Sequence, residues 1–249
     1  MTEAVVLHLF DYLESSRIVR VATRELGVQS VLARGARKPK SRFGSSLDVF
    51  ASGVVQYSAR PGRDLHNLTG FDLTRSRLTL AGNLERFAAA SVVSELALAF
   101  AHPGPDDGVF DVLTQSLDAL SDVAGGAATD VGLAAAWQLV AALGFAPSLD
   151  ACSVCRADIP ADESTPFSHA TGGSLCAKCR MSAPAARTLP PAARAALQHW
   201  LDGTRTPLAG TADRRSHIRL LREFLQQHLA EGRELRALGA WEAGMRRAV

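Results

Sequence analysis

Apolar and polar residues alternate in short runs over the first 72 positions, which is the pattern of half-buried β-strands. Within residues 17–23, Ile18 and Arg20 fall on one face of an extended chain, and Val19 and Val21 fall on the other. The pattern predicts five strands: Glu3–Tyr12, Arg17–Thr23, Gly27–Ala33, Asp48–Ala59 and Asp64–Asp72. Five short strands predict a small closed barrel, of which the OB-fold is the commonest nucleic-acid-binding example. An SH3-like barrel or a β-meander would give a similar pattern.

Beyond these strands the apolar residues recur at three- and four-residue spacing, which predicts amphipathic helices. Three apolar stripes begin near Leu84, Phe110 and Leu133, and each ends at glycine or proline. Another helix is predicted from Pro190-Pro191 through Leu201, since proline is tolerated in the first turn. A last one carries Ile218 on its apolar side. Short connections between helices imply antiparallel neighbours in a bundle.

Together these patterns predict an α+β multidomain protein, and its 249 residues with 47% hydrophobic content suffice for packed cores. We expect a five-stranded OB-fold barrel over residues 1–77, followed by an α-helical domain over residues 78–249. A cysteine-rich segment at about residues 150–182 interrupts the helices, and we expect it to be a zinc-binding insertion.

All four cysteines of the chain lie in this segment, as two C-x-x-C pairs separated by 20 residues. A two-residue spacer lets both sulfurs of a pair reach one ion, and four thiolates complete the tetrahedron that structural zinc prefers. No coordination position is left for water or substrate, which a catalytic zinc would need. We therefore predict one structural Zn²⁺, and its ligands are Cys152, Cys155, Cys176 and Cys179.

Other uses of paired cysteines fit the segment less well. A thioredoxin-like redox pair would stand beside a βαβ pattern, and none is present. Four thiolates could hold an iron–sulfur cluster, but two C-x-x-C pairs favour zinc. A base deaminase would carry H-x-E followed by P-C-x-x-C, which the sequence lacks. His169 could replace one cysteine as a ligand, but we interpret it as a polar loop residue.

Charge is divided unevenly along the chain, although the net charge is only +2. Residues 1–80 carry 12 Lys and Arg against 7 Asp and Glu, whereas residues 81–150 carry 1 against 9. This asymmetry is expected when one part of a protein meets a polyanion, although accidental surface clustering would give it too.

The densest cationic segment lies between the third and fourth predicted strands, where residues 34–42 contain five cations and no acid. Glycine and proline keep the segment out of regular structure, so we expect a loop that presents its cations on one rim of the barrel. Loops of OB barrels follow the nucleic-acid backbone. We therefore predict DNA contacts by the five cations, which are Arg34, Arg37, Lys38, Lys40 and Arg42.

Stacking of bases would need exposed rings, for which Phe43 and Tyr57 are the candidates. Each ring taken alone is more simply interpreted as part of the barrel core. A second basic face on the last long helix is interpreted as solvated, because Asp213 and Glu223 dilute it. Its cations are Arg214, Arg215, Arg219 and Arg222.

Cellular location and reaction class are also constrained by motifs. The N-terminus begins with an acid where a secretory signal would carry positive charge, so we expect a cytoplasmic, nucleoid-associated protein with reduced thiols. The sequence contains no P-loop, magnesium-binding acid cluster or nucleophile motif, so we expect no enzymatic activity.

The segments that carry these features resemble the bacterial recombination mediator family RecO. The similarity runs in order through nearly the whole chain, and it is most specific in the basic loop and the cysteine segments. The matching segments are residues 23–27, 33–43, 90–96, 143–155 and 167–179.

This resemblance implies an OB-fold, a helical domain with a zinc-binding insertion, and binding of single- and double-stranded DNA. It also implies strand annealing, partnership with RecR, and help in loading RecA onto DNA coated by single-strand-binding protein (SSB). The tail of SSB is an implied peptide partner, for which residues 81–150 indicate no groove. Two segments depart from the family pattern: Leu13–Ser16 keeps only the acid of a Gly-Glu pair, and Glu231–Leu235 replaces a Lys-Ser stretch.

Three alternatives remain open on the sequence alone. A zinc-containing nucleic-acid-binding regulatory factor could use the same barrel and cysteines without annealing strands. A metalloenzyme would require an open metal site, and an adaptor for RecR would need no DNA contact.

Overall fold

A computed structural model describes residues 1–44, 46–58, 62–102, 104–124, 126–230 and 232–247. The chain divides into two compact units, Met1–Val123 and Ala124–Val249. The predicted domain boundary near residue 77 stays a prediction.

The first unit is built on a five-stranded closed barrel in the order β1-β2-β3-β5-β4. All of its strand pairs are antiparallel except β3 with β5. This is the strand arrangement of an OB-fold, so the predicted fold class is confirmed. The strands are β1 (Thr2–Tyr12), β2 (Ser16–Thr23), β3 (Gly27–Ala33), β4 (Ser52–Ser58) and β5 (Leu65–Arg75).

Alternation along the strands directs one set of side chains into the barrel. Val6, Val19, Val21 and Val31 are fully buried there. Strand β4 begins four residues later than predicted, because residue 50 adopts φ 71° and breaks the extended run. The backbone of Phe50 and Ala51 still bonds to Val6, so this segment covers the edge of β1.

Two helices complete the first unit, α1 (Leu84–Phe100) and α2 (Asp107–Asp122). Each begins at a polar residue whose side chain accepts a hydrogen bond from the first turn: Asn83 from the Arg86 N–H and Asp106 from the Val109 N–H. The two helices pack against each other, and α1 also contacts β1 and β2.

The second unit contains α3 (Ala128–Ala142), α5 (Pro191–Leu201), α6 (Thr211–His228) and α7 (Arg236–Arg247). Helix α3 is buried almost all round and packs against α5 and α6. The ring of Trp137 lies 5.2 Å from that of Phe224, and Trp200 and Trp241 are also buried. The sequence did not decide the environment of these last two rings.

The second basic face is only partly solvated, which corrects the sequence interpretation. Arg214 makes a bidentate ion pair with the buried Asp130 at 2.7 and 2.8 Å. Arg222 pairs with Glu242 at 3.0 Å, and Arg215 donates to the Met245 carbonyl. Most of these cations therefore hold α6 to α3 and α7, because the fold brings acceptors next to them.

Between α3 and α5 the chain forms a small sheet in the order β7-β6-β8 and a one-turn helix. Its elements are β6 (Thr165–Ser168), β7 (Gly173–Ser174), α4 (Ala177–Arg180) and β8 (Arg187–Leu189). Within the described ranges, no helix combines the length and apolarity needed to cross a bilayer.

Candidate nucleic-acid interface and metal centre

The basic loop, residues 34–42, is ordered by successive turns of its own backbone. The Lys38 N–H donates to Gly35 O at 3.1 Å, and the Ser41 N–H donates to Lys38 O at 2.9 Å. The Arg37 N–H donates to Ser15 O at 3.0 Å, which fixes the loop beside the β1–β2 turn. The loop therefore presents its cations from a fixed backbone on this rim of the barrel.

The five predicted DNA-contacting residues are all exposed, but they differ in what they touch. Arg34, Lys38 and Lys40 form no ion pair within the part of the chain that the structure describes. Arg37 lies 3.6 Å from Asp11. Arg42 donates to the Leu68 carbonyl at 3.2 Å, and its guanidinium lies 4.8 Å from the centroid of the ring that follows it in sequence. Three of the five cations are thus free for an anionic ligand.

Neither ring proposed from the sequence as a base stacker is well exposed. Phe43 is 4% exposed and belongs to the barrel core, which confirms its simpler interpretation. Tyr57 packs partly against the core and stacks on His66, with centroids 5.2 Å apart and planes 12° apart. Burial raises the pKa of the Tyr57 phenol.

Exposed rings lie instead along the outer half of β1, and we call His8, Phe10 and Tyr12 the ring stripe. Phe10 is 47% exposed and Tyr12 is 39% exposed. A register irregularity between Val6 and His8 lies where β1 passes from fully buried residues to this alternating face. The His8 and Phe10 rings lie 4.2 Å apart. Alternation of rings at positions 8, 10 and 12 is the sequence signal that could have identified the stripe.

The neighbours of the ring stripe on β2 add a cation and an apolar side chain. His8 pairs with Arg20, and Phe10 pairs with Ile18. Asp11, between two rings of the stripe in sequence, is the residue that Arg37 of the basic loop approaches, and its side chain alternates to the opposite face of β1. The basic loop therefore lies near the end of β1 that carries Phe10 and Tyr12, but it contacts the other face of the strand.

Other barrel cations pair with acids of α2, which carries four of the nine acids of residues 81–150. Arg24 lies 2.7 Å from Glu3, 3.1 Å from Asp107 and 2.8 Å from Asp111. Hydrogen bonds to Asp111, Glu3 and Asp107 raise the pKa of the Arg24 guanidinium. Arg75 and the fully buried Arg77 both pair with Asp118, whose Oδ1 lies 2.7 Å from Arg75 Nε and 2.9 Å from Arg77 Nε. These cations hold the barrel to α2.

The four cysteines converge on one point. Their sulfur atoms all lie within 4.8 Å of one another, and Cys155 Sγ is 3.6 Å from Cys176 Sγ. Tetrahedral coordination with metal–sulfur bonds of about 2.3 Å places sulfurs about 3.8 Å apart. The cluster therefore has the donor set and the spacing of a closed four-thiolate metal site.

Local backbone structure brings the two cysteine pairs together. In the first pair, the Cys152 N–H donates to Ala157 O at 2.8 Å and the Arg156 N–H donates to Cys152 O at 2.9 Å. In the second pair, Cys176 caps α4. The two halves meet where Gly173 pairs with Ser148, and a side chain at 173 would lie 2.3 Å from the Ser148 oxygen. Only glycine allows this approach.

The close approach of the four cysteines shifts the pKa values of their thiols in different directions. Burial opposes ionisation of Cys152, but hydrogen bonds from the backbone of Cys155, Cys176 and Val154 lower its pKa to about 6. The neighbouring sulfurs of Cys155 and Cys176 raise the pKa of Cys179 to about 12. Four thiolates thus accumulate at this point only when a cation is present to compensate them, and the site fits a metal ion.

His169 is not part of the cysteine cluster. It follows β6 with its side chain 14% exposed, and its Nε2 lies 3.2 Å from a carboxylate oxygen of Glu223. Burial lowers the pKa of this imidazole. The expectation that it is not a ligand agrees with this placement, but the residue lies in a packed site and not in a solvated loop.

These features define a class of protein: an OB-fold barrel with a cationic rim, joined to a helical unit that carries a four-cysteine metal site. Models of the families "Recombination protein O N terminal" and "Recombination protein O C terminal" match residues 1–77 and 81–237. Proteins named DNA repair protein RecO are similar along most of the chain.

One such relative, from Anaeromyxobacter sp. strain K, is 38% identical over 94% of this chain and 92% of its own. Another, from Rubrobacter xylanophilus, is 32% identical over 92% of this chain and 90% of its own. A third, from Roseiflexus sp. strain RS-1, is 34% identical over 72% of this chain and 61% of its own. The chain belongs to the RecO family of DNA repair proteins.

Proposed function

We propose that this protein binds DNA, anneals complementary strands and acts as a non-enzymatic recombination mediator. In this role it cooperates with RecR, remodels or displaces SSB on coated DNA and promotes loading of RecA. The observation that carries the DNA-binding step is the basic loop, in which three exposed cations meet no acid among the described residues.

Phosphate contacts are assigned to the basic loop. Arg34, Lys38 and Lys40 project into solvent without acidic partners among the described residues, so phosphates would not have to displace one. Arg37 and Arg42 are exposed and hold contacts that a phosphate could share. Neutralising five phosphates corresponds to a slope of about −3.5 in a plot of log affinity against log salt on single strands.

Base contacts are assigned to the ring stripe. Exposed aromatic faces stack unpaired bases whatever their sequence, because every base has a π-face. Strand annealing needs charge neutralisation together with access to unpaired bases. The exposed cations of the basic loop and the exposed rings of β1 together support both requirements without any catalytic group.

Peptide partners need a different kind of surface, and a groove in the second unit supports this part of the proposal. The groove has a volume of about 630 Å³ and lies between α5 and α6, lined by alanines of α5 and by Leu189, Pro207 and Leu208. Arg187 and Arg219 also line this groove, together with the acids Asp213 and Glu223. Its apolar lining would suit an extended peptide, and we propose the SSB tail as that peptide.

Zinc is the metal we assign to the cysteine cluster, since a closed four-thiolate tetrahedron is a structural zinc site. Purified protein should contain one zinc per chain by elemental analysis, and cobalt substitution should give the thiolate charge-transfer bands of a tetrahedral site. Cys176→Ser should lower zinc content and destabilise the second unit. Iron with sulfide in place of zinc would contradict the assignment.

The decisive test of the proposed function is a paired titration of binding and annealing. Fluorescent single strands should bind with a log-salt slope of about −3.5, and complementary strands should anneal faster with protein than without. Adding RecR and SSB-coated DNA then tests mediation. Salt-dependent binding without faster annealing would favour the alternative function, a zinc-containing nucleic-acid-binding regulatory factor. A slope near zero would overturn the phosphate contacts.

A further inference from the structure

A pocket beside the metal site is not used by the function described so far. Its volume is about 240 Å³, and it lies within the second unit between the cysteine segment and the end of α6. The residues that line it include Phe145, Ser153, Arg156, Thr171 and His228.

Two aromatic rings line this pocket. The rings of Phe145 and His228 lie 6.5 Å apart, and His228 packs 4.5 Å from the buried Phe224. His228 Nε2 lies 2.6 Å from the His169 carbonyl, which can only accept, so Nε2 donates and carries the proton. That bond fixes the orientation of the imidazole.

Polar groups of the cysteine segment also line the pocket. The Ser153 and Thr171 hydroxyls are 2.8 Å apart, and the Ser153 N–H donates to Ser174 O at 2.8 Å. Arg156 adopts φ 64° directly after Cys155, with its N–H bonded to Cys152 O. Among the described residues its exposed guanidinium forms no ion pair, so it is available to an anion.

The volume of the pocket and the chemistry of its lining residues together indicate the class of ligand. The volume is below the roughly 300–1,000 Å³ of sites for drug-sized molecules, so the pocket suits one planar ring and not a bulky peptide segment. Aromatic rings suit a flat π-system, hydroxyls suit polar edges, and a guanidinium suits a phosphate. A nucleotide of single-stranded DNA offers all three features at once.

We propose that this pocket binds one unstacked nucleotide of a single strand, with the base against Phe145 and His228 and a phosphate at Arg156. The proposal rests on the proposed DNA-binding function and adds a contact in the second unit. It also gives the metal a role in recognition, because the cysteine segment positions Ser153, Arg156 and Thr171.

The test uses the full-length, zinc-loaded chain and a labelled oligothymidylate that contains 5-iododeoxyuridine. Irradiation should crosslink the probe to peptides that contain Phe145 or His228, in addition to peptides of the barrel. Phe145→Ala and Arg156→Ala should each reduce crosslinking in the second unit about tenfold. Arg180→Ala, a matched exposed cation of the same segment outside the pocket, should leave crosslinking unchanged.

Folding is checked by zinc content and circular dichroism, and a variant that loses zinc is replaced by Thr171→Val. That substitution should weaken crosslinking in the second unit with zinc retained. Crosslinks confined to the barrel, with normal DNA binding, would contradict nucleotide binding in this pocket and would leave the proposed function unaffected. Failure of the wild-type chain to bind the probe at all would overturn both.

Discussion

Two groups of cations on the first unit have similar chemistry and opposite surroundings. Arg24, Arg75 and Arg77 face acids of α2 or β1, whereas Arg34, Lys38 and Lys40 meet no acid among the described residues. The first group holds the fold together and the second is available to a ligand. A basic stretch of sequence therefore indicates a polyanion site only where the fold leaves its charge uncompensated.

The largest effect on stability is expected from Arg77→Ala. The buried guanidinium donates to the Phe50 carbonyl at 2.6 Å and to Ser52 Oγ at 2.7 Å, besides pairing with Asp118. Removing it leaves buried acceptors unpaired, which costs about 3 kcal/mol of unfolding free energy. Urea denaturation measures this loss, while DNA affinity per folded molecule should be unchanged. A weakened affinity would place Arg77 in the interface.

The double substitution Lys38→Glu with Lys40→Glu should instead weaken DNA binding and leave stability almost unchanged. Loss of two phosphate contacts should weaken single-strand binding about 25-fold at 0.1 M salt and change the salt slope from about −3.5 to about −2. Unfolding free energy should shift by no more than about 0.5 kcal/mol, as for exposed sites generally. Fluorescence anisotropy over a salt series measures both quantities.

A matched control for this charge reversal is Arg205→Glu with Arg236→Glu in the second unit. Both side chains are exposed, and Arg236 pairs only with the exposed Glu234 among described residues. This variant changes net charge equally and should retain most of the affinity. An equal loss in both variants would mean that binding follows net charge and not the basic loop.

The next largest loss of DNA affinity is expected from Phe10→Ala on the ring stripe. Loss of one stacked base should weaken single-strand binding about tenfold, leave the salt slope unchanged and slow annealing. Phe43→Leu, a core substitution, should instead lower stability with little effect on affinity. Stopped-flow annealing and anisotropy distinguish the two variants. If Phe43→Leu alone impaired binding, the ring stripe would not be the stacking surface.

The smallest loss of stability is expected from Arg24→Gln. Its partners Glu3, Asp107 and Asp111 are largely exposed, and exposed ion pairs contribute little, so unfolding free energy should fall by about 1 kcal/mol or less. Three acids are left without their cation, and the loss should shrink further at high salt. Thermal denaturation in low and high salt checks this, with DNA affinity as the contrasting measurement. A loss comparable to that of Arg77→Ala would place Arg24 among the buried determinants.

Element positions were largely predictable, since they depend on short-range periodicity. The strands β2 and β3 and the helix α5 lie close to their predicted bounds. The three-stranded sheet beside the cysteines was not predicted, because strands of two to four residues are too short for a periodic pattern. Helix α7 was also missed.

Both candidate sites were indicated by local chemistry, but their surroundings were not. The cysteine spacing alone identified the four side chains that the structure brings together, and a cation-rich loop was visible as a segment. The two rings considered for stacking, Phe43 and Tyr57, were more simply interpreted as barrel core, and the exposed rings of β1 were not considered, because a sequence does not state which side chains fold inward. Phe43 enters the barrel core, while Phe10 remains exposed on β1.

The sequence by itself determined the barrel strands, most helices, the four-cysteine site and the five-cation loop, since each depends on residues close together in the chain. Only the tertiary structure decided which cations are free and which rings are exposed. Arg24 meets an aspartate 87 positions away, and Arg77 meets one 41 positions away. Charge compensation and burial are properties of such distant contacts, so no local pattern reveals them.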